Sequence, residues 1–474
     1  MKTMNYFQNK SKDIVACLFV AIFSIGFFAC SESDNPVSIP PGNISSLSSS
    51  SSSHEKKEVI NLWTFSDEVP KMIVKYMETH PEFKEKYDVI TTIIPTTEGN
   101  YEPALDKALM TGGLNAPDFF CADAAFVLKY TQGEMSNYAA PYKTLGIDID
   151  KAINDADIAK YSVEVGTNPS GDVVGLCYQG TGGAFIYRRS IAKDVFGSDD
   201  PATVAEKIGA GTGKWDKFFD AAEELKAKGY AIVSGDGDIW HGVENSANEG
   251  WVVDDKLTID VKREEFLDLS KKLKDNNYHN DTEDWSEAWK ADMRDEGEKG
   301  VLGFLGPAWF INNILTVNSG GSKVGEGTFG DWGVCEPNVG FFWGGTWLIA
   351  NTNSSQKEAV GELINWITLD CSQDGLQYML ANGCLNEEGT KDGVASGTVM
   401  AMSDGSLEFL GGQNMFDVFI PANQFAIGKN LTQYDEKINL RWRGQVRQYS
   451  AGYKGRDAAI KDFKQEVADE LDIK

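Results

Sequence analysis

VINLW (59–63), VITTII (89–94) and PDFFC (117–121) are three short, mostly apolar runs separated by segments that read as helices. After the first run, Pro70 sits early in a helix whose Met72, Ile73, Tyr76 and Met77 share one stripe. Pro95 stops the second run, and a helix over 101–110 follows, ended by Gly112 and Gly113. The third run leads into a helix over 124–130. Strands alternating with helices at roughly 30-residue spacing build a parallel sheet covered by helices. Ligands of such sheets sit beyond the carboxyl ends of the strands, here 63–67, 96–100 and 122–123.

A second α/β series follows. It reads as a strand over 184–187, a helix over 215–226 stopped near Gly229, and a strand over 231–234. Amphipathic helices over 266–276 and 285–296, a strand over 301–305 and a helix opened by Pro307 complete it. Between the two series lies GLCYQGTGG (175–183), with four glycines in nine residues. Glycine at that density suits a crossover that must bend. A second glycine-rich crossing, VGFFWGGTW (339–347), precedes a strand over 348–350 and a helix over 356–369. The 474 residues suit two or three domain-sized bodies, and no repeat of solenoid length occurs.

The ends of the chain read differently. Lys2, Lys10 and Lys12 precede an apolar run over 14–29, short for a membrane span and right for the core of a secretory leader. Phe28-Ala29-Cys30 resembles a relaxed lipobox, in which residues 1–29 are removed and Cys30 carries lipid. The other reading is an ordinary cleaved leader with Cys30 incidental. Residues 30–57, with a serine run over 45–53, are too polar to fold and read as a tether. The chain is thus expected to be exported, to the periplasm or cell surface, and anchored through Cys30. Removing the leader's three Lys and one Asp takes the net charge from −27 to −29, which disfavours nucleic acid and anionic lipid. Five further cysteines, Cys121, Cys177, Cys335, Cys371 and Cys384, cannot all pair. Cys371 and Cys384 flank one helical segment and could bridge, but small buried thiols suffice to explain all five.

Catalytic signatures are missing. The four His include no H-E-x-x-H pair, and there is no G-x-S-x-G elbow. Gly211-Thr212-Gly213-Lys214-Trp215 has Trp where a phosphate loop needs Ser or Thr. Asp236-Gly237-Asp238 is only a fragment of a calcium loop. No metal or cofactor is expected. With 71 acidic residues a pair of glycosidase carboxylates stays open, although no pair stands out. The 12 Trp say more. Sugars present flat C–H faces edged by hydroxyls, so aromatic plates with Asp, Asn, Gln and Arg hold them. Trp215, Trp285, Trp289 and Trp366 read as helix residues of the core. Trp63, Trp309, Trp343 and Trp347 stand near strand ends and glycines and read as site residues.

Several segments in order resemble one family. They are Ile60-Asn61-Leu62-Trp63, Pro117-Asp118-Phe119-Phe120 with Asp123, Ile186-Tyr187-Arg188-Arg189, Gly306-Pro307-Ala308-Trp309, Trp343-Gly344-Gly345-Thr346-Trp347, and Phe409 to Asn414. Over most of residues 58–474 the chain is similar to extracellular solute-binding proteins of the carbohydrate-binding group that includes maltose-binding protein. The resemblance implies a periplasmic-binding-protein-like type II fold, with two α/β lobes joined by hinge crossovers around a ligand cleft. Lobe 1 would hold 58–178 and 341–390, and lobe 2 would hold 182–337 and 391–474. Asp123 matches an aspartate that accepts sugar hydroxyls. Trp309 lies close to a stacking tryptophan, in a Gly-Pro motif one residue shorter than the family's. Trp63, Asp67, Gln179, Trp343, Trp347 and Asn414 match rim positions, although Gln413-Asn414 reads equally as a turn. The implied function is capture of a sugar or oligosaccharide by lobe closure and delivery to an ABC permease, by a monomer that is not an enzyme. The alternatives are a cell-surface carbohydrate-active enzyme and a binder of a non-sugar ligand such as a peptide or polyamine.

Overall fold

The computed structural model describes residues 56–96, 99–385 and 389–473. The leader, Cys30 and nearly all of the tether lie outside the described residues. Among the described residues no helix is long and apolar enough to cross a membrane.

The strands are β1 (Glu58–Thr64), β2 (Tyr87–Ile93), β3 (Phe119–Asp123), β4 (Gly175–Cys177), β5 (Ala184–Arg188), β6 (Val252–Val253), β7 (Lys256–Leu257), β8 (Gly303–Gly306), β9 (Trp332–Cys335) and β10 (Thr346–Ala350). β2, β1, β3, β10 and β4 form one sheet in that order. β1 runs parallel to β2 and β3, with Leu62 opposite Phe119 and Trp63 opposite Phe120. β10 returns antiparallel to both β3 and β4. Asp118 staples three strands: its carboxylate accepts from the Asn61 N–H at 2.8 Å and the Ser354 hydroxyl at 2.6 Å, and its carbonyl accepts from the Asn351 N–H at 2.8 Å. The helix Glu68–Thr79 buries Val69, Met72, Ile73 and Tyr76 against this sheet, on the 3.6-residue spacing. It stops where Pro81 follows His80 and opens the next helix.

The second sheet has three antiparallel strands, in the order β8, β5, β9. Side chains of β5 alternate between two cores: Phe185 and Tyr187 enter one, Ala184 and Ile186 the other. Both faces are covered, which explains why the strand reads as continuously apolar. The expected strand over 231–234 is reduced to single bridges from Ala231 to Val301 and from Val233 to His279. The Asp238 carboxylate takes the N–H groups of Ser234 and Gly235 at 2.8 and 2.9 Å, and so turns the chain before a ladder can extend. The fragment that resembled a calcium loop is therefore a turn closed by its own aspartate.

Three strands of chain run side by side between the two sheets. Gly182 bridges Phe342, with N–H donation from Gly183 to Phe341 at 2.8 Å and from Trp343 to Thr181 at 3.1 Å. On the other side Gln179 bridges Val394, and Gly180 donates to Gly393 at 3.0 Å. Glycine is required here for space: a Cβ at Gly183 would lie 2.0 Å from the Phe341 ring. The five cysteines within the described residues are all free thiols, so the Cys371–Cys384 bridge does not form.

Candidate functional site

The site is built around the second crossing. Gly344 and Gly345 adopt φ of +71° and +115°, which lets the chain fold tightly between Trp343 and β10. A Cβ at Gly345 would come within 2.8 Å of the Cys177 sulfur. That turn sets Trp343 at the centre of an aromatic group. Trp309 packs edge-on at 5.0 Å and donates its Nε1–H to the Trp343 carbonyl at 2.9 Å. Trp285 meets Trp343 edge-on at 5.9 Å, and the His241 ring stacks on it at 4.5 Å. Trp309 and Trp343 are half-buried, and Trp285 is 38% exposed.

Charged groups continue outward from this plate. His241 lies 3.4 Å from Glu244. Burial alone would raise the Glu244 carboxyl, but its hydrogen bond and charge contact with His241, aided by Arg263, hold it below the usual range. Asp284, beside Trp285, pairs with Arg443, and its carboxyl is also held down against the effect of burial. Four other carboxylates behave in the opposite way. Asp123 accepts from the Ala125 N–H at 2.9 Å, and burial pushes it up to about 6. Glu436, on the helix Asp435–Ser450, is crowded by protein and by the charges of Glu244 and Asp123, which push it up to about 7. Asp392 is raised by burial to about 7, with a contribution from Glu68. Glu68 accepts from the Tyr178 hydroxyl at 2.8 Å and is likewise raised, chiefly by desolvation. Glu68 and Glu436 are exposed at the surface, and Asp123 and Asp392 are half-buried.

The residues singled out by sequence separate into two groups. Trp309, Trp343, Asp123 and Gln179 gather around the turn. The Ala124 N–H donates to the Gly345 carbonyl at 3.1 Å, and the Gln179 side-chain oxygen accepts from the Thr346 N–H at 3.0 Å. Trp63 is half-buried near the carboxyl end of β1. Asp67 lies on the surface, paired with Lys71 at 2.6 Å. Trp347 is fully buried and donates to the Ser162 carbonyl at 3.2 Å, so it offers no ring face to a ligand. The pleat explains this: on β10, Trp347 points into the sheet's core. Asn414 closes a turn by accepting from the N–H groups of Gly405 and Phe416, both at 3.1 Å. Trp240, Trp251 and Trp332, also beside glycines or strand ends, are core residues.

Trp285 corrects the helix reading. It has φ of +66° and precedes the helix Glu287–Met293, whose first turn is capped by Ser286 accepting from Trp289. A serine three residues before Trp289 is the signal that puts the helix start after Trp285. Trp289 and Trp366 are buried as expected, and so is Trp215, just before the helix Asp216–Ala227. His241 carries no local motif, because only the meeting of separate segments brings it onto the Trp343 ring.

The family model for bacterial extracellular solute-binding proteins matches residues 64–373. Among solved structures, an extracellular solute-binding protein of family 1 superposes with a TM-score of 0.70 at 16% identity, covering 87% of this chain and 99% of that one. The sugar-binding protein MalE from the phytopathogen Xanthomonas citri has a TM-score of 0.65 at 14% identity, covering 87% and 97%. The galacto-N-biose-/lacto-N-biose I-binding protein of an ABC transporter from Bifidobacterium longum, in complex with lacto-N-biose, has 0.61 at 17%, covering 88% and 97%. At these identities the likeness is one of fold, the two-lobed type II arrangement. No curated protein matches the sequence. With the family model spanning well over half of its length, the chain belongs to the bacterial extracellular solute-binding proteins.

Proposed function

We propose that this protein is the extracytoplasmic substrate-binding lipoprotein of an ABC importer, capturing a sugar or oligosaccharide between its lobes and passing it to a membrane permease. The observation that carries the sugar reading is the group of Trp309 and Trp285 set edge-on around Trp343, partly open to solvent, with the Asp284–Arg443 pair beside Trp285. Flat rings with hydrogen-bonding groups at their edges suit a sugar, with its C–H face on the plate and its hydroxyls at the rim. Sugar-binding proteins among the similar folds support the same choice. Lobe 1 takes residues 58–178 and 341–390 and lobe 2 takes 182–337 and 391–474. The paired crossings near 180, 342 and 394 act as the hinge. Ligand touching both lobes favours the closed state by differential affinity, and closure is what the permease reads. Asp123 and Trp63 contribute from lobe 1 and Gln179 from the crossing, with Trp285, Trp309 and Glu436 opposite. Cys30 carries the lipid and residues 30–57 give reach.

Thermal unfolding against a panel of mono- and oligosaccharides tests this. A bound sugar at about a hundred times its dissociation constant adds roughly 2.7 kcal/mol and raises the midpoint visibly. The expected result is a selective rise with the sugar recovered unchanged. Turnover of any sugar, or a rise only with peptides or polyamines, overturns the reading.

A further inference from the structure

In Gly180-Thr181-Gly182-Gly183 only Thr181 carries a side chain. Its neighbours have no room for one: a Cβ would lie 2.4 Å from the Val394 carbonyl at Gly180 and 2.6 Å from the Ala422 backbone at Gly182. Thr181 grips the turn that carries Trp343 at three successive residues. Its carbonyl accepts the Trp343 N–H at 3.1 Å, and its hydroxyl donates to the Gly344 carbonyl at 3.1 Å. Its methyl lies 3.3 Å from where a Cβ of Gly345 would stand. Gln179 extends the grip by one residue, its side-chain oxygen taking the Thr346 N–H at 3.0 Å. Tyr161, on the helix Lys160–Val165, holds Thr181 in turn. The Tyr161 hydroxyl oxygen accepts the Thr181 N–H at 2.6 Å and stands 2.9 Å from the Thr181 hydroxyl, and it donates to the Gln179 carbonyl at 3.2 Å. Its ring stacks on Phe342, the residue before Trp343, at 4.6 Å and 10°. Thr181 and Tyr161 are both fully buried, so each acts through the residues it holds.

A turn built on two glycines has many conformations open to it, and its peptide groups, once packed away from water, need partners. Thr181 supplies those partners on both sides of the Trp343 ring. The Trp343 carbonyl is taken by the Trp309 indole N–H at 2.9 Å, so the place where the turn is held also sets Trp309. Resting on the sugar reading above, we propose that Thr181, clamped by Tyr161, is a positioning residue of the sugar site: it fixes the angle at which Trp343, and through it Trp309, meets the ligand. Contact with an aromatic ring depends on its orientation, and a ring that must first be ordered loses affinity to the cost of ordering it.

The test is fluorine NMR of the protein labelled with 5-fluorotryptophan, with the Trp343 and Trp309 resonances identified by Trp→Phe replacement. Three variants are compared with the wild type. Thr181→Val keeps the shape and loses the hydroxyl, Tyr161→Phe keeps the stack on Phe342 and loses the hydroxyl, and Thr181→Ser keeps the hydroxyl. Thr181→Val and Tyr161→Phe are expected to shift or broaden the Trp343 and Trp309 resonances. Trp251 and Trp442, which pack on each other in the core around the second sheet, should stay in place, and Thr181→Ser should keep the wild-type spectrum. Each sugar that raises the wild-type unfolding midpoint is then titrated calorimetrically. Its affinity should fall about tenfold in the two hydroxyl-deleted variants and stay within about twofold in Thr181→Ser. Unmoved Trp343 and Trp309 resonances in both hydroxyl-deleted variants overturn the proposal, as does wild-type affinity in variants whose resonances have moved. Movement of Trp251 and Trp442 as well would show a general loosening of the fold and overturn it too. The spectra need no ligand, so a panel in which no sugar binds overturns the sugar reading while the resonances still decide whether Thr181 positions the rings.

Discussion

At the residue scale, two tryptophans four positions apart stand in opposite surroundings. Trp343 is half-buried among Trp309, Trp285 and His241, and Trp347 is sealed inside the sheet. Trp343→Ala is expected to weaken sugar binding by about tenfold or more, with a smaller effect on folding. Trp347→Ala empties a buried ring site and should cost about 3–5 kcal/mol of stability, read by denaturant unfolding. The sequence WGGTW is legible as a special turn, but which ring faces solvent depends on the pleat of β10 and on φ at two glycines. The raised carboxyls give a second expectation. A carboxyl with a raised native pKa binds protons more tightly folded than unfolded, so its contribution to stability is full at low pH and lost as pH rises through the native value. Asp123 at about 6, with Asp392, Glu436 and Asp435 at about 7 and Asp238 at about 8, all act in this direction. His279, its pKa lowered by burial, opposes them below its ordinary value, and Glu244 and Asp284 do so only in the acid range. The unliganded protein should therefore unfold at a lower temperature at about pH 8 than at about pH 5.5, measured by a thermal scan.

At the scale of elements, the first three strands and their helices were readable because apolar spacing, Pro95 and the Gly112-Gly113 stop all agree with the fold. The second lobe was harder to read. Its sheet is antiparallel and short, β9 contains Gly333 and lacks a distinct apolar run, and 231–234 is diverted by Asp238. Such outcomes depend on side-chain capture of backbone N–H groups, which periodicity does not register. The crossings were visible as glycine density, and close packing accounts for it. Gly345→Ala would place a methyl 2.8 Å from the Cys177 sulfur at φ of +115°, so a loss of about 1–3 kcal/mol together with weaker ligand binding is expected. Cys371 and Cys384 make only weak contacts, Cys371 with the Leu369 carbonyl and the Ser396 hydroxyl and Cys384 with the Asn382 carbonyl. Adding a reductant should leave the unfolding midpoint of the protein unchanged.

At the scale of the molecule, two sheets with their own cores are joined by three adjacent crossings, and the plate lies on one of these. Asp123 ends a strand of the first sheet and Glu436 stands on a helix packed on the second core, and the charge of Asp123 is one of the causes that raise the Glu436 carboxyl. The candidate site was only half legible. Trp309, Trp343 and Asp123 stand in recognisable local patterns, whereas Glu436, Asp392 and His241 arrive from segments far apart in the chain. Capture by closure has a direct physical signature in the size of the particle. Small-angle X-ray scattering of the protein with and without a saturating sugar measures it. A smaller radius of gyration is expected with sugar bound. An unchanged radius at full saturation would contradict it.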